Sequence, residues 1–397
     1  MTARSAAMQR GTARVVETEN SMTVNEVNRV NSLLIVTLLL MALGLMMMTS
    51  ASIEISSSQF GDPLFHLKRQ SVFAVIGLIT ILVTVSIPTQ RWYTLSGYFL
   101  LLSYVLLVLV LIPGIGKEVN GSSRWLNLGL FDLQPSEMAK VFVVLYLAVF
   151  LQHNHLEVRE RWSGFFKPMV VITAAVTLLY FEPDHGAIVI MFTTAFSMIF
   201  LAGAKLHRFL LIALGCIAAV VFVAIKYPHV LARFASFQDP WAAEFVYGSG
   251  YQLTQALIAF GRGEWFGVGL GNSIQKLYFL PEAHTDFVLA ILAEELGLIG
   301  VLAVLGLFCY LVYKGLAIGK VAENQGRLFS AYFAYGLSIV FASQILINVG
   351  VNTGLLPTKG LTLPFMSYGG ASLIVSCFMV ALLIRIQYEC ENNLPGQ

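Results

Sequence analysis

The chain has 397 residues, of which 57% are hydrophobic and only 12% are charged, and its formal net charge is +2. A soluble domain usually carries about 25% charged residues. This composition therefore excludes a soluble globular fold and predicts repeated apolar segments that span a bilayer. The small net charge, without a Lys/Arg run, excludes a nucleic-acid-binding protein. The four cysteines show no CxxC spacing, so neither a disulfide framework nor a metal site is predicted.

The predicted elements begin with a polar N-terminal tail, residues 1–31, which carries four arginines. The apolar run that follows lies too far into the chain, and is too long, to be a cleavable signal peptide, so it is predicted to be the first anchor. Windows of about 19 residues predict about ten transmembrane helices, and hence an all-α polytopic membrane protein. The predicted spans are residues 32–51, 70–88, 95–113, 136–152, 168–182, 187–203, 208–226, 286–312, 328–352 and 362–386.

The distribution of basic residues predicts the orientation of the chain. With the N-terminus in the cytoplasm, the inner segments hold fourteen Lys and Arg residues and the outer segments hold eight, in agreement with the positive-inside rule. The membrane domain is then residues 32–388, and residues 389–397 form a cytoplasmic tail. Its one large loop, residues 227–285, is predicted outside the membrane. The aromatic residues of this loop favour the headgroup zone of the outer leaflet.

Ionisable residues within or beside a span are costly, and four clusters of them are candidate functional sites. The first cluster opens the fourth span. Ser136 is predicted to cap that helix, and Glu137 and Lys140 share one of its faces, so they are predicted to pair. Either this pair only lowers the cost of insertion or it also contacts a substrate. In the preceding loop, Arg124 is a candidate ligand for a phosphorylated sugar, and Trp125 either stacks on that sugar or anchors the loop at the interface.

The second cluster, residues 182–186, reads Glu-Pro-Asp-His-Gly and separates the fifth span from the sixth. Proline does not continue a helix comfortably, and two acidic residues favour a tight turn at the surface. The prediction is mainly a solvated turn, with a functional role as the less favoured alternative.

The third cluster, residues 281–287, lies where the eighth span begins. Thr285 or Asp286 is a candidate N-cap of that helix. A carboxylate at a partly dry helix start is also a candidate general base. Glu294 and Glu295 lie further along the same helix, so at least one of them is expected to face protein or water rather than lipid.

The fourth cluster, residues 354–370, contains two prolines and four glycines. Such broken backbone at membrane depth is tolerated only where it is buried or lines a cavity. Lys359 within it either binds a pyrophosphate as a point charge or extends its ammonium group to the interface. The preceding span carries Gln344, Asn348 and Asn352 along one face, a stripe more typical of interhelical hydrogen bonds than of ligand contacts.

These segments also carry a resemblance to a known family. The matching runs are NGSSRWLNLG at 120–129, QPSEMAK at 134–140, the segment 248–295 with LPEAHTDF near its centre, and LPTKGLTLPFMSYGG at 356–370. They resemble the SEDS family (shape, elongation, division and sporulation proteins), and GSSRW and LPEAHTDF are most similar to its division members. The resemblance covers about residues 32–388. Ala371 departs from the family pattern, which usually continues GGSS.

The resemblance implies ten spans and a peptidoglycan glycosyltransferase that polymerises lipid II at the outer face of the cytoplasmic membrane, at the division septum. It also implies that the carboxylate of the HTDF motif, Asp286, is the catalytic base. The candidate substrate contacts are Lys359, Arg124, Glu137, Lys140, His284 and Ser367. The implied partners are a class B penicillin-binding transpeptidase of the FtsI type and the FtsQ–FtsL–FtsB complex. No cofactor is predicted beyond a candidate divalent cation, Mg or Mn, that would accompany the pyrophosphate.

Two rival functions stay open on the sequence alone. A flippase for the same lipid-linked precursor needs a polar path through both leaflets and a site near the midplane, whereas the candidate residues crowd one side of the membrane. A pure scaffold leaves the charged residues inside spans unexplained. The predicted reaction is therefore glycosyl transfer between two lipid-linked sugars. Polymerisation of lipid II, as opposed to scrambling without polymer, separates the enzyme from the flippase.

Overall fold

The structure, a computed structural model, is largely helical and describes residues 3–119, 122–127, 129, 132–211, 214, 239–357 and 360–393. Its helices are α1 Ala3–Phe60, α2 Phe65–Val85, α3 Thr89–Leu111, α4 Pro135–His153, α5 His155–Glu160, α6 Trp162–Phe181, α7 His185–Leu201, α8 Tyr251–Gly263, α9 Val288–Asn324, α10 Leu328–Asn352 and α11 Gly370–Glu391. A short π-helical turn covers Gln275–Phe279. The strands are β1 Gly116–Val119, β2 Ser122–Asn127 and β3 Asp132–Leu133.

Eight helices in the described part of the chain are long and apolar enough to cross a membrane, namely α1 from Ser32 onward, α2, α3, α4, α6, α9, α10 and α11. A ninth apolar helix, α7, is shorter, with 17 residues. In lipid a helix satisfies its own backbone hydrogen bonds, which is why apolar runs of this length fold this way. The polytopic helical fold is confirmed. The predicted span 208–226 lies almost entirely outside the described residues, so the count of ten stays a prediction.

The helices form an inner and an outer set. In the apolar windows of α4, α10 and α11, 72%, 67% and 78% of the residues are buried, against 22% in α3 and 28% in α9. The outer helices present large apolar side chains outward, among them Leu82 at 71% and Val170 at 69% exposure. A surface of this kind is stable against lipid tails but not against water. The inner helices therefore place the residues at their ends in the middle of the bundle.

A small antiparallel sheet with strand order β1-β2-β3 follows α3. It was not predicted, because its strands have only two to six residues and carry no sustained period-two pattern. The ion pair between Lys117 and Asp132, at 2.8 Å, links the two ends of the sheet. Strand β2 carries Arg124 and contacts the start of α4, which brings the arginine close to the first cluster.

Helix α9 is broken near its beginning at Gly297, whose φ of 67° lies in the left-handed region that favours glycine. The carbonyls of Glu294 and Glu295 accept from the main-chain N–H groups of residues 268 and 269, at 3.0 Å each. In return, the N–H groups of residues 298 and 299 donate to carbonyls of residues 264 and 265. The loop after α8 thus satisfies the polar groups that the break frees, as membrane depth requires.

The last span begins later than predicted. The prediction was residues 362–386, whereas α11 covers Gly370–Glu391. Pro364 and the positive φ of Phe365, 64°, keep the preceding segment out of a helix. Hydrogen bonds fix the turn in this preceding segment instead. Residues 360–369 therefore reach the inner helices as irregular backbone. This segment forms one wall of the site.

Candidate functional site

A cavity of about 520 Å³ opens where the ends of several helices meet. Its walls come from the starts of α2, α4 and α11, strand β2, the turn before α7, the loop before α9 and the segment after residue 359. The sequence predicts all of these on the outer side. The charged and polar side chains that line it are Arg69, Arg124, Asp132, Gln134, Glu137, Asp184, Glu282, His284, Thr285, Asp286, Thr362, Tyr368 and Ser372.

Asp286 stands on the cavity wall in the loop that leads into α9. The N-cap of this helix is Phe287, without a side-chain cap bond, and the Thr285 hydroxyl donates to the Glu282 carboxylate at 2.6 Å. The prediction that Thr285 or Asp286 caps the helix is therefore wrong. Among the described residues, no basic side chain forms an ion pair with Asp286. Its carboxyl is consequently not engaged in holding the helix start.

Burial raises the pKa of Asp286 from its ordinary value of 3.8 to about 7. The negative charge of Glu282 raises it further, and the positive charge of Arg124 opposes the shift. A carboxyl with a pKa near neutrality is ionised for an appreciable fraction of the time and is still basic enough to take a proton. These are the properties that a general base needs.

Arg124 lines the cavity from β2 and is held by the turn before α7. Its Nη2 donates to the carbonyl of Pro183 at 2.6 Å and its Nε donates to that of Glu182 at 3.2 Å. These two contacts fix the plane of the guanidinium group while its charge remains uncompensated by an ion pair among the described residues. A planar, fixed cation at a cavity wall suits an anionic ligand such as a phosphate.

The second cluster is not a solvated turn. Glu182 is 0% and Asp184 is 5% exposed, and Asp184 is the N-cap of α7, accepting from the N–H of Ala187 at 3.1 Å. Asp184 also accepts from the hydroxyl of Ser136 at 2.8 Å. Ser136 therefore does not cap α4, whose N-cap is Gln134, and that prediction is wrong. Because the turn is bound to the start of α4, it belongs to the site.

The carboxyl of Glu182 has no hydrogen-bond partner among the described residues. Burial raises its pKa to about 8, the charge of Asp184 adds to this, and that of Arg124 opposes it. Glu182 is then mostly protonated at neutral pH. It does not line the cavity, so a substrate there does not reach it directly.

The predicted pair of Glu137 and Lys140 is confirmed. The Lys140 Nζ donates to the Glu137 carboxylate at 2.9 Å, and both side chains are almost fully buried. Glu137 lines the cavity, whereas Lys140 lies behind it. The arrangement fits a buried ion pair that shapes the wall, and direct substrate contact by Lys140 stays a prediction.

His284 and Ser367 occupy different parts of the site. His284 lines the cavity, its ring lies 5.8 Å from that of Tyr368, and burial lowers its pKa, so the imidazole is neutral at pH 7. The Ser367 hydroxyl accepts from the N–H of Leu363 at 2.8 Å and is absent from the cavity lining. Ser367 therefore holds the turn of the fourth cluster. Its contact with a substrate stays a prediction.

Lys359 was predicted to bind the substrate, whereas Arg69 was not singled out from the sequence. Lys359 lies outside the described residues, so its predicted role is neither supported nor contradicted. Arg69, near the start of α2, lines the cavity but was not singled out, because one exposed arginine beside a span reads as an ordinary interfacial charge. Its place on the cavity wall comes from tertiary packing.

Both glutamates in the eighth predicted span are fully buried and paired. Arg262 binds Glu294 at 2.5 Å, and Lys276 binds Glu295 at 2.8 Å. The hydroxyl of Ser50 also donates to Glu295, at 2.7 Å. The expectation that at least one faces protein is confirmed for both. Their basic partners come from the outer loop, which is thereby fixed to the beginning of α9.

Known proteins resemble this chain over most of its length. The family model described as "Cell cycle protein", FTSW_RODA_SPOVE, matches residues 30–392. A probable peptidoglycan glycosyltransferase FtsW of Pseudomonas fluorescens is 52% identical over 360 residues, 91% of this chain and 88% of that protein. One of the same description from Nitrosococcus halophilus is 54% identical over 350 residues, 88% of this chain and 90% of that protein.

Solved structures of other proteins also superpose on this chain. A chain of a peptidoglycan synthase complex, studied for the coordination of polymerization and crosslinking, superposes with a TM-score of 0.73 at 28% identity and covers 90% of this chain and 97% of that one. The rod shape determining protein RodA of Thermus thermophilus superposes with a TM-score of 0.66 at 27% identity. The superposition covers 90% of this chain and 96% of the RodA chain. The chain belongs to the FtsW/RodA/SpoVE family of cell cycle proteins.

Proposed function

We propose that this protein is a peptidoglycan glycosyltransferase that polymerises lipid II at the outer face of the cytoplasmic membrane, with Asp286 as the general base. The observation that carries the proposal is the Asp286 carboxyl itself. It lies on the cavity wall, caps no helix, and has a pKa raised to about 7 by burial. The relatives named as peptidoglycan glycosyltransferases support the same reaction.

The proposed step transfers a sugar between two lipid-linked chains. The acceptor's 4-hydroxyl gives its proton to the Asp286 carboxylate while its oxygen attacks C1 of the donor sugar. The new C1–O4 bond forms as the bond from C1 to the diphosphate oxygen breaks, and undecaprenyl pyrophosphate leaves with that electron pair. General-base assistance of this kind contributes about 10²–10⁴ in rate.

The leaving diphosphate needs compensating positive charge, which preorganised cations supply without reorganisation. Arg124 is held in place by two carbonyls, and Lys359 is proposed to join it. A divalent cation is a further candidate. The described residues contain no group of three or more His, Cys, Asp or Glu side chains placed to hold one.

The position of the cavity suits an amphipathic substrate. Its volume of about 520 Å³ lies within the range of about 300–1,000 Å³ typical of small-molecule sites. The undecaprenyl tail then stays against the apolar outer helices. The candidate groups that line the cavity meet at one end of the bundle, which suits chemistry at one membrane face better than transport through it.

The proposal extends to the proteins that associate with this chain. The chain's structural similarity to a member of a peptidoglycan synthase complex supports a class B penicillin-binding transpeptidase of the FtsI type as the partner that crosslinks the product. Association with the FtsQ–FtsL–FtsB complex and localisation at the septum extend the proposal from the division branch of the family.

The test is polymerisation by the purified full-length chain, alone and with its transpeptidase, of lipid II that carries a labelled sugar. Long glycan made by the parent and absent from Asp286→Asn supports the proposal. Movement of labelled lipid II between leaflets, without polymer and equally in parent and Asp286→Asn, establishes the flippase instead.

A further inference from the structure

Two asparagines of α10 hold the main chain of Asp286. The Nδ2 of Asn348 donates to the Asp286 carbonyl at 3.0 Å, and that of Asn352 donates to the same oxygen at 3.1 Å. The two residues lie one turn apart on one helix face, and their exposures are 1% and 0%. Two buried donors thus converge on a single main-chain oxygen of the proposed base.

This oxygen needs side-chain donors because Asp286 precedes Phe287, the N-cap of α9, and so lies outside the helix. The first helical hydrogen bonds go to the carbonyl of the N-cap residue. The N–H groups of Ala290 and Ile291 accordingly donate to Phe287, at 3.0 and 3.3 Å. A buried carbonyl left without a donor costs about 1–3 kcal/mol. The asparagine amides remove that cost and fix the peptide group between Asp286 and Phe287.

The same amide connects Asp286 to the opposite wall. Asn348 Nδ2 also donates to the carbonyl of Leu361, at 2.6 Å, next to Gly360. A Cβ placed on Gly360 would lie 2.6 Å from Oδ2 of Asp286, so the carboxylate rests against the bare Cα of that glycine. One nitrogen therefore fixes both the backbone of Asp286 and the surface against which its carboxylate lies.

We infer that Asn348 and Asn352 are positioning residues that hold the Asp286 carboxylate in the cavity, against Gly360, through their shared hydrogen bonds to its carbonyl. Both acceptors of Asn348 are carbonyls, so only a donor serves there. An ionised Asp in its place offers acceptors alone, and Leu, of similar size, offers neither. The inference rests on the proposed function, because it concerns the placement of the base.

Asn348→Leu tests the inference, and Gln344→Leu is its matched control. Gln344 lies one turn earlier on the same face, is equally buried, and its amide has no hydrogen-bond partner among the described residues. Displacing a catalytic group by about 1 Å costs up to about 100-fold in rate. We expect Asn348→Leu to lower kcat for lipid II polymerisation about 10- to 100-fold with KM within about twofold. Gln344→Leu is expected to keep both constants.

A second variant keeps the test decisive if Asn348→Leu folds poorly. Gly360→Ala leaves every asparagine hydrogen bond in place but puts a methyl group where the carboxylate lies. Alanine adds only this one methyl group at Gly360. We expect the same loss of kcat at unchanged KM, with a thermal midpoint within about a degree or two of the parent.

The outcomes separate the two proposals. Parental kcat in Gly360→Ala, or in an Asn348→Leu protein that is folded, overturns the positioning role. Equal loss in Asn348→Leu and Gln344→Leu also overturns it, because any polar deletion on that face would then suffice. Asp286→Asn run beside them tests the function itself. If it polymerises normally the proposed base is wrong, whereas an inactive Asp286→Asn with parental Gly360→Ala removes the positioning inference alone.

Discussion

Replacing Asp286 with Asn is expected to change stability and activity in opposite directions. The carboxyl has a pKa of about 7 in the folded protein, against an ordinary value of 3.8. Between these values the folded state holds a proton that the unfolded chain has lost. Stability contributed by this residue therefore falls as the pH rises from about 4 to about 7, and the full cost is present above pH 7.

The size of the cost follows from the pKa difference. A pKa difference of about three corresponds to a free-energy cost of about 4 kcal/mol. This cost is an upper bound because the carboxyl is partly open to the cavity. Asn keeps the shape and carries no charge, so Asp286→Asn is expected to stabilise the protein by about 1–4 kcal/mol above pH 7. Its glycan output is expected to fall about 10²- to 10⁴-fold, the usual cost of losing a general base.

The assay is thermal unfolding in detergent at pH 5 and pH 8, together with lipid II polymerisation by the same preparations. The parent's rate is expected to rise with pH through about 7, since the base must be ionised. Asp286→Glu is expected to keep a little activity, because it moves the carboxylate by about one bond length. Near-parental glycan output from Asp286→Asn, or an Asn variant less stable than the parent at pH 8, refutes the reasoning.

Three further predictions concern charged groups whose partners the structure identifies. Glu137→Ala and Lys140→Ala are each expected to cost about 3–5 kcal/mol by leaving a buried charge unpaired, and the exchanged pair to regain part of it; strict additivity in a double-mutant cycle would contradict this. Lys276→Met is expected to lower the thermal midpoint because Glu295 then keeps only hydroxyl and main-chain donors, and adding Glu295→Leu to restore it; a midpoint unaffected by Lys276→Met would show that the pair is not needed. Arg124→Lys keeps the charge but loses the forked contact with two carbonyls, so kcat/KM for lipid II is expected to fall about tenfold; unchanged kinetics would return Arg124 to a structural role.

The sequence was sufficient for features that depend on local pattern. Apolar runs identified the spans that the structure describes, and the three-residue spacing of Glu137 and Lys140 predicted their pairing because helix geometry alone sets it. The motif around Asp286 pointed to the residue that lines the cavity. In each case the relevant neighbours lie within a few residues of one another along the chain.

Features that depend on distant partners were missed or wrong. Ser136 looked like a helix cap, but its hydroxyl donates to Asp184, 48 residues further along the chain. The turn around Glu182 looked solvated, because nothing in its own composition reveals that strand β2 and the start of α4 cover it. Arg69 lines the cavity only because α2 packs against the rest of the bundle. Such contacts are set by tertiary packing, which one sequence does not specify locally.

The surroundings of five other buried carboxyls, all of them glutamates, differ from those of the proposed base. Glu137, Glu294, Glu295 and Glu389 each face a cation within 3 Å, which is how a charge is retained in a dry site. Glu182 has no cation in an ion pair among the described residues. It is closed off from the cavity, and its pKa of about 8 keeps it mostly protonated. Asp286 is likewise unpaired, but it lies on the cavity wall, where a hydroxyl can approach it. A base must be reachable by the substrate and must gain and lose a proton near neutral pH, and of these six carboxyls Asp286 is the one that meets both conditions.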